Sequence, residues 1–182
     1  MNKTRRIATL GMLCAMSFLL MLAEIPLFPA YPHLKYDLSD VIPLMTGLYD
    51  SLSGCFLVLL VRTVCHLLLK PAQPPLLGEA MSFIAGASFT LPAVFVYSHA
   101  RTRSGALSGM ALASISLVLT MLAANAFIVP RFIPFLADHS TLFPYLLYGV
   151  LPFNAVKALL NCLVVFFFYK RFSRVFLRGM RS

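Results

Sequence analysis

From Ala106 to Val129 the chain runs without a charged side chain, and from Phe143 to Tyr169 it carries only one, Lys157. Runs of that length leave few choices. A spanning helix takes about 20 apolar residues, and inside a bilayer every backbone N–H and C=O must be satisfied within the protein. The strict alternation of a barrel strand is missing, so helices carry the solution. Of 182 residues, 60% are hydrophobic and 12% are charged, against about 25% charged in an ordinary soluble domain. No separate soluble domain fits. The reading is an all-α integral membrane protein, a single membrane domain over residues 1–182.

Six apolar segments are predicted, at about 7–25, 38–49, 54–69, 78–97, 106–129 and 143–169, with a basic tail over 170–182. The second and third are short for a full crossing and are expected as a bent or partly immersed pair. The first is uncharged from Ile7 to Ala23, longer than the h-region of a signal peptide, and is read as a retained helix. Between the segments lie IPLFPAYPHLKYD, KPAQPP and ARTRSG. The first of these is too long and too aromatic for a minimal turn, and is expected to lie over a site.

The net charge of +9 would suggest nucleic acid in a soluble protein, but its placement decides otherwise. With six helices and an inside N-terminus, ten basic residues fall on the inner side: Lys3, Arg5, Arg6, Arg101, Arg103, Lys170, Arg171, Arg174, Arg178 and Arg181. Only Lys35, Lys70 and Arg131 fall on the outer side. That is the positive-inside bias, with both termini cytoplasmic. The tail is then an anchor at an anionic leaflet, and the partner is a lipid bilayer with no nucleic acid.

Catalytic and metal patterns are missing. Cys14, Cys55, Cys65 and Cys162 sit inside apolar runs without C-x-x-C spacing, as small hydrophobes do. No S-x-x-K, G-x-S-x-G, H-E-x-x-H or Walker pattern occurs. The expectation is neither an enzyme nor a metalloprotein, and no cofactor is implied.

What remains is polarity inside the apolar runs. An ionisable group at bilayer depth costs about 2.5–3.5 kcal/mol and calls for a partner. Asn154, Lys157 and Asn161 share one face of the sixth segment. Asn125, near the outer end of the fifth, lies at comparable depth to Asn154 and Lys157. Either these residues glue helices together, or Lys157 snorkels to the interface, or they form one wall of a binding site. Asn161, a turn deeper, is assigned to packing. Glu79 and Ser82 open the fourth segment, where a dipole or capping role competes with a ligand role. Asp37 and Asp40 are read first as caps of the second helix, while Lys35 and Tyr36 are freer to face a ligand. Arg62 and His66 stand i, i+4, and an ion pair from Arg62 to Asp40 or Asp50 is preferred to a metal pair. Gly11 and Ala15, with Ala8 a turn before, make a small face on the first helix.

These residues resemble the substrate-binding S components of energy-coupling factor (ECF) vitamin transporters, and more narrowly the riboflavin-binding members. The matches are RRIATLGMLCAMSFLLM, LKYDLSDVIPLMTG after the proline-rich loop, RTVCHLL, GEAMSFIAGASFTLPA, ANAFIVPRF and PFNAVKALL. The resemblance implies a bacterial plasma-membrane subunit that captures riboflavin at the outer face. It would work with a transmembrane coupling subunit and two cytoplasmic ATPase subunits. It carries the flavin-holding role onto Asn154, Lys157 and Asn125, and site closure onto the first loop around Leu34, Lys35, Tyr36 and Asp37. Phe28, Tyr31, Met81 and Phe127 are expected as apolar walls. Docking falls on Gly11 and Ala15, glycine standing where the family has its first alanine. Ser82 departs from the asparagine frequent in the family, which leaves an S component for another vitamin or metabolite open. A ligand-free scaffold subunit is the alternative from outside that class.

Overall fold

A computed structural model gives the structure, which describes residues 3–70 and 76–181; the side chains of the expected basic tail, 170–182, lie outside the described residues. The first helix, α1, runs over Lys3–Leu22, and a small hairpin follows, β1 at Ile25–Pro26 and β2 at Lys35–Tyr36. Next come α2 (Val41–Tyr49), α3 (Leu52–Leu69), α4 (Leu77–His99) and α5 (Arg103–Phe127). Two short 3-10 turns lead to α6 (His139–Pro144), a π-helical turn over Tyr145–Val150, and α7 (Leu151–Arg181). Among the described residues, five helical stretches are long and apolar enough to cross a membrane: Lys3–Leu22, Leu52–Leu69, Leu77–His99, Ser104–Arg131 and His139–Phe168.

The start signals are side-chain caps. Ser51 Oγ accepts from Gly54 N, Thr102 accepts from Gly105 N, and Asp138 accepts from Ser140 N, each satisfying an N–H that the helix leaves open. The second predicted segment shrinks to the nine residues of α2, too short to span. It is the most enclosed element of the fold, with Val41 through Thr46 all buried. The sixth predicted segment is likewise interrupted. Pro152 cannot donate to the carbonyl four residues back, and Leu151 N bonds to Leu146 O instead, closing a wider turn just before α7.

Asp40 stands at the N-cap of α2 without a side-chain cap bond, which corrects its expected capping role. Asp37 Oδ1 instead accepts from the backbone N–H and the hydroxyl of Ser39, turning the chain into α2.

Two ion-pair clusters mark the ends of the bundle. At one, Arg6 grips Asp50 with Nε and Nη2, both at 2.9 Å, and Nη2 also donates to Ser51 Oγ. At the other, Glu24 Oε1 receives Lys35 Nζ at 2.7 Å and Lys70 Nζ at 3.0 Å. That second cluster ties the end of α1 and the end of α3 to the hairpin, so the hairpin lies across this end. Asp50 is thereby committed to Arg6, and of the two acids expected for Arg62 only Asp40 is its partner.

One large apolar core joins α2, α3, α4, α5 and α7, and takes in Leu34 and Tyr36 from the loop. A smaller one seats Leu10, Leu13 and Cys14 of α1 on Ile42 and Val58. The opposite face of α1 is left open. Ala8, Gly11 and Ala15 are exposed, and a Cβ added at Gly11 would meet nothing within 4 Å.

Candidate functional site

Beneath the hairpin, buried polar groups gather from α2, α3, α4, α5 and α7. At the centre is Asp40, 1% exposed. Arg62 Nη2 donates to its Oδ1 at 2.5 Å, and Lys157 Nζ faces its Oδ2 at 3.0 Å as an ion pair without hydrogen-bond alignment. Arg62 Nη1 also donates to Ser39 Oγ. Arg62 and Lys157 share the buried Asp40 carboxylate, and the charge of Asp37 also acts on Lys157, so the group of four is near neutrality. That is how ionic groups survive inside an apolar bundle. Gly86 of α4 allows it: a Cβ there would lie 2.7 Å from Arg62 Nη2, from Asp40 Oδ1 and from Leu59.

Toward the hairpin end, Asn154 Nδ2 donates to Val150 O at 2.8 Å, the carbonyl one turn back. Its Oδ1 is buried and has no partner. Asn125 is more fully employed. Its Nδ2 donates to Met121 O, and its Oδ1 accepts from Tyr145 Oη at 2.9 Å. Tyr145 lies in the π turn and faces His33 Nε2 of the loop at 3.2 Å. Tyr31 packs edge-on against Tyr145, with its ring 3.0–3.3 Å from where a Cβ on Gly149 would sit. The π turn is thus the seat of the loop. Phe28 and Phe153 meet edge to face at 6.4 Å.

Two loop residues expected to be free are engaged. Lys35 belongs to the Glu24 cluster, and Tyr36 is buried with Oη donating to Asn161 Oδ1 at 3.1 Å. Burial, then the carboxylates of Asp37 and Asp40, push the Tyr36 phenol up to about 12, so it remains a donor at neutral pH. Asn161, assigned to packing, anchors the loop from below and keeps Nδ2 buried without a partner. Leu34 and Asp37 are buried, Ser82 is half-buried, and Met81 packs against the core. Phe127 does not join the walls, being 72% exposed.

Glu79, 3% exposed, does more than favour the α4 dipole. His66 Nδ1 of α3 lies 3.2 Å from its Oε1. Sequence reasoning left His66 as the neighbour of Arg62. The available signal was RTVCHLL itself: the i, i+4 spacing that buries Arg62 buries His66 as well. Among the described residues no group of three or more His, Cys, Asp or Glu could hold a metal ion.

The arrangement is a strip of buried polar groups set in an apolar core. Most of its hydrogen-bonding capacity is used internally, and a few atoms are held open. Open polar atoms among apolar side chains are what a small, largely apolar ligand with a few polar positions would meet.

The family model "ECF transporter, substrate-specific component" matches residues 5–169. The riboflavin transporter RibU of Staphylococcus aureus is 30% identical over 95% of this chain and 93% of its own. RibU of Streptococcus thermophilus is 31% identical over 88% and 79%, and the riboflavin transporter FmnP of Bacillus subtilis 27% over 97% and 92%. A solved structure, described as the S component of a bacterial ECF transporter, superposes with a TM-score of 0.80 at 25% identity, covering 96% of this chain and 99% of that one. This chain belongs to the family of substrate-specific components of ECF transporters.

Proposed function

We propose that this protein captures riboflavin at the outer face of a bacterial plasma membrane and hands it to partner subunits for ATP-driven uptake. The observation that carries the reading is Asn154 Oδ1, a buried acceptor without a partner, one turn from the Lys157 ammonium. An unsatisfied buried acceptor costs about 1–3 kcal/mol. The imide N–H of an isoalloxazine ring relieves that cost, and its carbonyl can take one of the ammonium donors that Asp40 leaves over. Asn125 stands on the adjoining helix with one amide N–H and one lone pair still to give. Leu34 and Asp37 close the site from the loop, with Glu79 and Ser82 at the α4 rim. Lys35 and Tyr36 act as fasteners of the loop through Glu24 and Asn161.

The topology that serves this is six helical segments, counting the enclosed α2, with both termini cytoplasmic and the hairpin outside. The open Ala8–Gly11–Ala15 face of α1 docks on a transmembrane coupling subunit, which two cytoplasmic ATPase subunits drive. Curated relatives named as riboflavin transporters support the ligand, and the lack of any catalytic constellation in the sequence supports a capture subunit rather than an enzyme.

The test is a thermal-stability panel on the purified protein with riboflavin, its mononucleotide and unrelated vitamins. A ligand that binds only the folded state raises the melting temperature, by an amount that grows with the logarithm of its concentration over Kd. Riboflavin is expected to stabilise most. Stabilisation by another vitamin alone would reassign the ligand, and none by any compound would favour a scaffold subunit.

A further inference from the structure

The connection from α5 to α7 carries side chains that flavin capture does not use. Phe132 and Phe135 are 53% and 75% exposed, and Phe127, Phe143 and Tyr148 are exposed as well. One exposed aromatic is ordinary on any protein surface. Five between Phe127 and Tyr148, at one end of the bundle, ask for a neighbour.

The connection is not a slack loop. Val129 and Leu136 are buried and Ile133 packs against the core, so one side of it faces inward. Phe132 N and Ile133 N bond to Val129 O, and Leu136 N bonds to Ile133 O. Thr141 Oγ1 donates to Phe135 O at 2.8 Å. Phe132 and Phe135 therefore project outward from a held backbone. Polar groups flank them in sequence: Arg131 precedes, and Asp138, His139 and Ser140 follow, all exposed.

This is the hairpin end, because Asn125 of α5 meets Tyr145, which faces His33 of the loop. The crossing stretches on either side, Ser104–Arg131 and His139–Phe168, hold 28 and 30 residues. A crossing takes about 20, so each stretch reaches past the hydrocarbon core into a boundary region. The exposed side of α5 is apolar through Leu112, Ile115 and Leu119 to Phe127. No charged residue stands between Ala106 and Arg131. The aromatic group thus continues a surface that already faces lipid.

We infer that the connection over 128–138 is an interfacial anchor, with Phe132 and Phe135 seated among the upper acyl chains of the leaflet at the hairpin end. Arg131 reaches the phosphate level on its aliphatic stem, while Asp138, His139 and Ser140 stay in water. A segment of this kind buries its apolar side about 5–10 Å into the headgroup and acyl boundary. The occupant is lipid rather than a protein partner. A protein interface is marked off by a polar rim, and here the patch runs on from α5 without one. Asn125 and Tyr145 flank the connection, so the anchor fixes the depth at which the loop meets the membrane.

The chain contains no tryptophan, so a single introduced one reports alone. Phe132→Trp and Phe135→Trp keep an aromatic ring at exposed positions and displace nothing inside the protein. Ser140→Trp marks the water side, and Leu119→Trp marks the lipid-facing middle of α5. Each full-length variant is reconstituted into phosphatidylcholine–phosphatidylglycerol vesicles. Emission is read with iodide on both sides, and with phospholipids brominated high or low on the acyl chain. Phe132→Trp and Phe135→Trp should each lose most emission to the high-brominated lipid, less to the low-brominated one, and little to iodide. Leu119→Trp should respond most to the low-brominated lipid, and Ser140→Trp to iodide. Iodide quenching of either phenylalanine-site probe to the extent seen at Ser140→Trp would mean an aqueous loop and overturn the anchor. A pattern matching Leu119→Trp would overturn the interfacial depth. Shielding of either probe from iodide and from both lipids would show a protein cover, and overturn the anchor as well.

Discussion

Lys157 Nζ stands 3.0 Å from Asp40 Oδ2, with no more than 5% of either side chain exposed, and the contact joins α7 to the start of α2. Among the described residues, Asp40 is also the only acidic ion-pair partner of Arg62. Removing one member of a buried ion pair strands the others, typically at a cost of about 3–5 kcal/mol. Asp40→Ala is therefore expected to lower the melting temperature in detergent more than any single change in the ligand-facing carboxamides. Adding Lys157→Met to it should restore part of the stability. Strictly additive losses in that double-mutant cycle would show that the two residues are not coupled.

Gly86→Ala tests the same centre from α4. The added methyl would sit 2.7 Å from Arg62 Nη2 and from Asp40 Oδ1, so the helix or the ion pair must shift. Overpacking of this kind costs about 1–3 kcal/mol. Thermal unfolding should show the loss, although alanine is the better helix former by about 0.8–1.0 kcal/mol. A stabilised variant would contradict the packing described here.

Tyr36→Phe removes the donor that reaches Asn161 Oδ1 and leaves that acceptor buried and unpaired. Such an orphan costs about 1–3 kcal/mol. The loss falls on the anchored position of the loop, so riboflavin should dissociate faster in stopped-flow release. An unchanged release rate would separate the loop from ligand retention.

The Glu24 cluster predicts a pH dependence of that release. Partial burial pushes the Glu24 carboxyl up, but hydrogen bonds and charge from Lys35 and Lys70 outweigh it and hold the group below its ordinary value. A depressed folded pKa means the contribution is complete above the ordinary glutamate value of about 4.3 and is lost as pH falls through the lower folded value. Release should therefore be flat from neutral pH down to about 4.3 and accelerate below it. Glu24→Gln should release faster throughout and lack the acid step, and high salt should move the wild type toward it.

Gly11 has open space where its side chain would be. Gly11→Leu is expected to abolish uptake by the assembled transporter with riboflavin affinity unchanged within about twofold, because nothing in the protein itself is displaced. Loss of binding as well would place Gly11 in the fold rather than in docking.

The long uncharged runs made the helices legible, because a bilayer admits few other solutions for the backbone. Arg62 and Lys157 were legible as groups in need of acids for the same reason. The identity of Lys157's partner was not, since Asp40 lies far away in sequence and looked like a helix cap. Local sequence offers a capping role to any Asp before an apolar run, and the tertiary ion pair overrode it. The nine residues of α2 read as a weak span because their burial comes from neighbouring helices rather than lipid. The π turn was hidden inside an apolar run, where Pro152 was its one trace. Within the candidate site, Asn154 and Lys157 were legible from polarity alone. His66 was not, because its partner Glu79 belongs to the next helix.

The central claim is that the unpartnered carboxamide oxygen of Asn154 faces a flavin. Riboflavin fluorescence titrated with purified wild type and with Asn154→Leu tests it most directly. Saturable quenching by the wild type, weakened about 10-fold or more in Asn154→Leu, is the predicted result, since a buried acceptor that meets an N–H is worth about 1.4 kcal/mol. No saturable quenching by the wild type at micromolar protein, or an Asn154→Leu variant that binds equally well, would contradict it.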